Sequence, residues 1–90
     1  MSQNSNQKTI LIIEPDDDYR DLIVPTLKEL TQMVIITAKD GTEASGKIRR
    51  QQFDLILTEY DVPKLDGVEL IRAARDTKDN KLTPIIMLST

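Results

Sequence analysis

The stretch Phe53–Gly67, FDLILTEYDVPKLDG, joins a short apolar run to an acidic loop. Its first part, Phe53–Thr58, has the length and composition of a strand that is buried on both faces. Its second part, Glu59–Gly67, is punctuated by Pro63 and Gly67, which favour turns. A buried strand that ends in a polar loop is typical of a parallel sheet with its site beyond the strand ends.

The same alternation continues on both sides of this stretch. The apolar pattern predicts three more buried strands and three amphipathic helices: strands Lys8–Glu14, Met33–Ala38 and Pro84–Ser89, and helices Asp16–Leu30, Thr42–Gln51 and Val68–Arg75. Strands that alternate with helices predict an α/β fold, in which right-handed crossovers place helices on both faces of a parallel sheet.

The chain is predicted to hold one domain. Residues 1–7 are polar and read as a flexible leader, and residues 8–90 form the domain. No helix follows the fourth strand in the 90 residues, so one strand edge and part of one sheet face are expected to be open. We expect either a fragment of a longer regulator or a protein that completes itself by pairing with another chain.

The composition excludes several classes of function. The chain has no cysteine and no histidine, which excludes disulfides, thiol and Ser-His-Asp catalysis, and thiolate or imidazole metal sites. The net charge of −3 and the scarcity of aromatic residues (3%) argue against a nucleic-acid surface. No apolar run is long enough to cross a bilayer, and no signal peptide opens the chain. These features predict a soluble, cytoplasmic domain.

Polar residues stand at the carboxyl ends of three predicted strands, where ligands bind in open parallel sheets: Glu14, Glu59 and Ser89. The loops add Asp16, Asp17 and Asp61. Carboxylates in one cleft favour a shared proton or a hard cation such as Mg²⁺. The alternative is that the glutamates only end strands and that the aspartates cap a helix. The turn EPDDD lacks glycine, so a phosphate loop is not expected.

Four blocks in register resemble the receiver domains of bacterial response regulators, the CheY-like superfamily: ILIIEPDDD (10–18), AKDGTEA (38–44), FDLILTEYDVPKLDG (53–67) and PIIMLST (84–90). The resemblance implies a flavodoxin-like, doubly wound sheet with strand order 2-1-3-4. It also implies that the C-terminal part of the domain, including its fifth strand and lysine, lies outside this chain.

The resemblance assigns roles to individual positions. Glu59 occupies the place of the family's phosphoacceptor aspartate, and Glu14 is the first of its two metal-binding acids, whereas Pro15 stands at the second. The switch hydroxyl corresponds to Ser89. Asp16 is a candidate for the acidic pocket in place of Pro15. The remaining assignments are the loop-shaping residues Pro63, Asp66 and Gly67, and Mg²⁺ ligands at Glu14, Glu59 and Asp61 if the site is active.

These departures favour a pseudo-receiver, a domain that is degenerate at the phosphorylation site, is not an enzyme, and works through protein–protein interaction without a cofactor. The alternatives are an active receiver with an atypical glutamate acceptor and Mg²⁺, and an enzyme in which Glu14 and Glu59 form an acid–base pair. The expected partners are a sensor kinase or an output domain, with no nucleic acid and no membrane. A homodimer through the open edge of the fourth strand is also expected.

Overall fold

The computed structural model describes residues 7–88, which form one sheet with helices on both faces. The elements follow in the order β1 (Thr9–Ile13), α1 (Asp17–Leu30), β2 (Val34–Ala38), α2 (Gly41–Arg50), β3 (Leu55–Glu59), α3 (Gly67–Arg75) and β4 (Ile85–Leu88). The predicted leader up to residue 6, and Ser89, lie outside the described residues.

The four strands are parallel and are ordered β2-β1-β3-β4, which confirms the predicted topology. In β1 the apolar run has side chains buried on both faces. Leu11 and Ile13 pack with Ile56 in a core that α2 and α3 cover from one side. Phe53, placed by sequence at the start of β3, precedes the strand and is buried in the same core.

Two strands differ from the expectation of burial on both faces. β2 is an outer strand and is mostly half-buried, and Val34 is exposed. In β4, Ile86 and Leu88 are 48% and 42% exposed, whereas Ile85 and Met87 turn toward the α3 side and are half-buried. The exposed side chains lie on the α1 side of the sheet, because among the described residues only α1 covers that face.

Helix α1 is the least buried of the three helices. It continues through Pro25, and none of its residues is buried. Tyr19, Ile23, Leu27 and Leu30 recur at helical spacing, which predicts one shared inward face, but Tyr19 and Leu30 are exposed. Leu22 and Leu30 of α1 are 65% and 75% exposed, so part of the apolar side of this helix has no partner among residues 7–88.

Helix α2 begins against the loop that follows β3. The Gly41 N–H donates to the Pro63 carbonyl oxygen at 2.8 Å, and a Cβ at Gly41 would lie 2.1 Å from the Leu65 Cβ. Only glycine allows this close approach. The contact fixes the acidic loop beside the carboxyl ends of the strands. No helix of the described residues is long and apolar enough to cross a membrane.

Candidate functional site

Glu14 and Glu59 meet at the carboxyl edge of the sheet. Glu14 follows β1 and Glu59 ends β3, and these two strands are neighbours in register, with Ile13 opposite Thr58. Since parallel strands end at the same edge, the two side chains emerge together. The structure therefore brings together the two glutamates that the sequence placed at strand ends.

The surroundings of Glu14 hold it in place. This residue is only 6% exposed, and its backbone N–H donates to the Ala38 carbonyl oxygen at 3.0 Å. Its Oε2 accepts the Asp16 N–H at 3.0 Å, and its carbonyl oxygen accepts from Arg20 Nη1 at 2.7 Å. One carboxylate oxygen of Glu14 is thus already committed to its own loop. Sequence reasoning missed Arg20, which also pairs with Asp17.

The carboxyl of Glu59 has a raised pKa. Burial is the largest cause, followed by the neighbouring charge of Glu14 and a hydrogen bond between the two side chains. Burial disfavours the charged form of a carboxyl, and a second carboxylate nearby acts in the same direction. Within residues 7–88, no cationic side chain lies within ion-pair distance of either glutamate, since the ion pairs there are Arg20–Asp17, Lys47–Glu43 and Lys64–Asp40.

Asp16 and Asp61 do not join this pair. Asp16 is exposed and caps α1, because its side chain accepts the Tyr19 N–H at 3.0 Å. This is the helix-cap role that the sequence offered as the alternative to a place in the acidic pocket. Asp61 is exposed in the loop after β3. Of the four acids considered as pocket or metal residues, only the two glutamates are in contact.

Among residues 7–88, the two acidic side chains that line this end of the sheet are Glu14 and Glu59. Mg²⁺ in proteins takes near-octahedral oxygen ligands, usually one or two carboxylates with water. In the described part of the chain, no three acidic side chains are grouped where they could hold a metal. Pro15 contributes no side-chain oxygen, and one oxygen of Glu14 is already bonded to the Asp16 amide.

The predicted loop-shaping residues occupy structural positions. The Pro63 carbonyl oxygen accepts from Gly41, and Asp66 caps α3 in a reciprocal capping box with Glu69. Gly67 begins α3, and a Cβ there would lie 2.9 Å from Met87 Cε. These contacts set the path of the acidic loop. Lys64 in this loop has a φ of 72°, in the left-handed region.

An apolar groove runs down from the glutamates between α1 and the sheet, with a volume of about 440 Å³. We call it the α1–sheet groove. Its lining comes from α1, β1, β3 and β4: Ile12, Ile13, Tyr19, Leu22, Ile23, Thr26, Leu27, Leu57 and Leu88, with Glu14 and Glu59 at one end. The open sheet face that the sequence predicted beside the fourth strand indicated a groove of this kind. The sequence pattern did not indicate that Glu14 and Glu59 line one end of the groove.

Residues 10–90 match the family model for the response regulator receiver domain. The chain belongs to this family. It is 35% identical over 82 residues to the alkaline phosphatase synthesis transcriptional regulatory protein PhoP of Bacillus subtilis, which covers 91% of this chain and 33% of PhoP.

Solved receiver structures have the same fold. The chemotaxis response regulator CheY4 of Vibrio cholerae superposes with a TM-score of 0.83 at 29% identity, covering 91% of this chain and 68% of that one. A second match is the receiver domain of the sensor histidine kinase PA1611 from Pseudomonas aeruginosa, with magnesium in its active-site cleft. It superposes with a TM-score of 0.78 at 26% identity, covering 90% of this chain and 66% of that one. The chain thus spans about two thirds of these receiver chains and one third of PhoP.

Proposed function

We propose that this receiver domain is a pseudo-receiver of a two-component phosphorelay, which acts through protein–protein contacts rather than by accepting a phosphoryl group. One observation carries the proposal: Glu59, at the phosphoacceptor position, lies beside Glu14 at the carboxyl edge of the sheet, and Pro15 stands at the second acidic position. Among residues 7–88, the site thus holds two neighbouring carboxyls without a third acid grouped with them.

The chemistry of phosphoryl transfer explains why this arrangement is unsuitable. The reaction depends on in-line placement of the attacking oxygen and on metal ions that neutralise the developing charge. A glutamate carries its carboxylate one methylene farther from the backbone than an aspartate, and misplacement of about 1 Å can cost about 100-fold in rate. The Glu14 carboxylate is also bonded to the Asp16 amide.

The proposed partners are a sensor kinase or an output domain of the same pathway, in the cytoplasm. Similarity to receivers of a transcriptional regulator and of a sensor kinase supports this class of partner. The net charge of −3 argues against direct binding of nucleic acid by this domain.

Among residues 7–88, no strand lies beside the outer edge of β4, which supports pairing with a second copy. Pro84 and Leu88 direct their carbonyl oxygens to β3, at 2.9 Å from the Ile56 and Tyr60 amides. The alternation of a strand therefore points the backbone groups of Ile85 and Met87 away from the sheet, where a second strand could pair with them. In sedimentation analysis, Ile86→Lys should give monomers and Leu82→Lys should leave the dimer unchanged. A dimer in both variants would place the contact elsewhere.

Magnesium binding tests the proposed function. In calorimetric titrations, the chain should show no saturable Mg²⁺ binding at millimolar concentration, whereas the double variant Pro15→Asp, Glu59→Asp should bind because it presents two aspartates and Glu14. A matched control, Pro15→Asn with Glu59→Asn, has side chains of the same size as the two aspartates without their carboxylates and should not bind. Equal affinity of the unmodified chain and the double variant would contradict the proposal.

A further inference from the structure

A small pocket lies between α2 and the loop that follows β3. Its volume is about 220 Å³, and we call it the α2–loop pocket. Because the Gly41 N–H donates to the Pro63 carbonyl oxygen at 2.8 Å, the two segments that form its walls are held together. The lining contains two cationic and two hydroxyl side chains and, in the described part of the chain, no acidic one: Gly41, Thr42, Ser45, Arg49, Lys64 and Leu65.

The pocket lies away from the outer edge of β4. Helix α2 contacts β2 and α3, and β2 is at the opposite edge of the sheet from β4. A strand that adds beside β4 would therefore lie across the width of the sheet from α2. The α2–loop pocket is thus a different surface from the α1–sheet groove and from the pair of glutamates.

The helix supplies three polar side chains to one wall of the pocket. Thr42, Ser45 and Arg49 have the spacing i, i+3 and i+7, which places them on the same face of α2. The opposite wall comes from the loop, which brings Lys64 to the pocket. A group bound between these walls would meet cations from two separate elements of the fold.

Ser45 directs an unpaired hydroxyl to the pocket. The residue is only 7% exposed. Every fully enclosed side-chain oxygen of residues 7–88 has a hydrogen-bond partner. The Ser45 hydroxyl has none among these residues, so it is open to solvent, and the α2–loop pocket is the cavity that Ser45 lines. A nearly buried hydroxyl without a partner is a donor that a ligand can satisfy.

The cations of the pocket exceed the acids that pair with them. Within residues 7–88, Arg49 forms no ion pair, and Lys64 pairs with Asp40 at an Nζ–Oδ2 distance of 3.5 Å. The other oxygen of Asp40 accepts the Glu43 N–H at 2.8 Å, as the cap of α2. One acid thus faces two cations, which leaves a positive charge at the pocket.

We propose that the α2–loop pocket binds a phosphate monoester, whose oxygens accept from Arg49, Lys64 and Ser45. A monoester carries a charge of about −1.5 to −2 at neutral pH and three acceptor oxygens, which matches two cations and a hydroxyl. A carboxylate has one charge and two oxygens, so it would leave one donor unmatched. The inference goes beyond the pseudo-receiver proposal, because the pocket uses no residue of the acidic pair.

A pair of matched ligands tests the charge of the bound group. Phenyl phosphate and phenyl sulfate have the same shape, but the sulfate carries a single negative charge. In ¹H–¹⁵N NMR titrations of the protein at constant ionic strength and about pH 7.5, where a monoester is mostly dianionic, phenyl phosphate should give saturable shifts of the Thr42, Ser45 and Leu65 amides. It should bind about tenfold more tightly than phenyl sulfate. Equal affinity, or no saturable shifts with phenyl phosphate at millimolar concentration, would overturn the inference.

Two neighbouring arginines provide a matched control. Arg49→Gln should weaken phenyl phosphate binding about tenfold, because it removes a charge-assisted contact. Arg50→Gln removes the same charge from an exposed side chain that does not line the pocket, and it should change the affinity less than about twofold. Equal effects of the two variants would mean that the phosphate responds only to net charge, which would overturn the inference.

The hydroxyl of Ser45 has its own test. Ser45→Ala should weaken phenyl phosphate binding about threefold or more, because one hydrogen bond to the ligand is lost. Unchanged affinity in this variant would show that Ser45 does not contact the ligand and would contradict its part in the site.

A peptide separates the two sources of a phosphate monoester. Phosphoserine in a short peptide that binds at least about tenfold more tightly than phenyl phosphate would assign the pocket to a phosphorylated partner protein. Any smaller preference would assign it to a small phosphate ester. Both results support a phosphate monoester site.

The two proposals fail separately. Glu59→Gln should leave the affinity for phenyl phosphate within about twofold, since Glu59 does not line the pocket. A phosphoryl adduct at Glu59 would contradict the pseudo-receiver and leave the pocket result standing. Absence of phenyl phosphate binding would contradict the pocket inference and leave the phosphorylation result standing.

Discussion

Polar side chains at the two edges of the sheet have opposite surroundings. At the amino edge of β3, the fully buried Asn80 side chain accepts from the Phe53 N–H at 2.9 Å and donates to the carbonyl oxygens of Ile48 and Gln51, both at 2.8 Å. At the carboxyl edge, Glu14 and Glu59 share one environment without a cationic partner among residues 7–88.

This difference indicates which edge stabilises the fold. The amide of Asn80 matches one donor and two acceptors, and the Thr83 hydroxyl adds a further bond at 2.9 Å. A satisfied neutral network stabilises and fixes the chain around it. Two adjacent carboxyls without a cationic partner do not stabilise the fold in this way, and groups with a shifted pKa cluster at functional sites.

The largest effect is expected for Asn80→Ala. The substitution leaves one buried N–H, one buried carbonyl oxygen and one part-buried carbonyl oxygen without their Asn80 partner, and we expect a loss of about 3 kcal/mol in the free energy of unfolding. Urea denaturation should measure it, with the exposed neighbour Asp79→Ala as the control, which should change stability by less than about 0.5 kcal/mol. Equal small effects would show that the amino edge does not hold the fold together.

The next effect concerns two glycines of the same helix. Gly41→Ala would bring its Cβ against Leu65, including backbone atoms at 2.9 Å, and should cost about 1–3 kcal/mol because backbone must move. Gly46→Ala meets only the flexible end of Arg50, at 3.3 Å, and should stabilise the helix by up to about 1 kcal/mol. The same sign for both variants in thermal unfolding would refute the close contact between α2 and the acidic loop.

A smaller effect, with a pH dependence, is expected for Glu59→Gln. The raised pKa of Glu59 means that the native state holds its proton more tightly than the unfolded state, so this group lowers stability as pH rises from the unfolded-state pKa to the native pKa, and the loss is complete above the native pKa. Glu59→Gln should therefore raise Tm at pH 7 and give a smaller gain at about pH 4, where a glutamate is largely protonated in both states. A gain in Tm that is larger at pH 4 than at pH 7 would contradict the raised pKa of Glu59.

The smallest effect is expected at Lys64. Its φ of 72° favours glycine, so Lys64→Gly should relieve the backbone by about 1 kcal/mol, offset in part by the lost ion pair with Asp40 at 3.5 Å. Lys64→Ala removes the same ion pair and keeps the unfavourable φ. It should be less stable than Lys64→Gly, and the reverse order in denaturant titration would argue against the left-handed backbone.

The alternation of apolar strands and helices was enough to predict the order of elements, and the resemblance was enough for the sheet order. The contact of Glu14 with Glu59 followed from their places at neighbouring strand ends. The role of Asn80 could not be predicted from the sequence, because an Asn in a polar loop resembles any turn residue until the fold brings the backbone of residues 48–53 against it. The exposure of Tyr19 and Leu30 also could not be predicted from the sequence, since helical spacing shows which residues share a face but not how much sheet lies beneath them.

Intact-mass spectrometry after incubation with Mg²⁺ and acetyl phosphate tests the central claim most directly. The pseudo-receiver account predicts no phosphoryl adduct on the unmodified chain, under conditions in which a complete receiver with an aspartate acceptor is modified. An adduct on the unmodified chain that is lost in Glu59→Gln would contradict the account and make Glu59 a working phosphoacceptor.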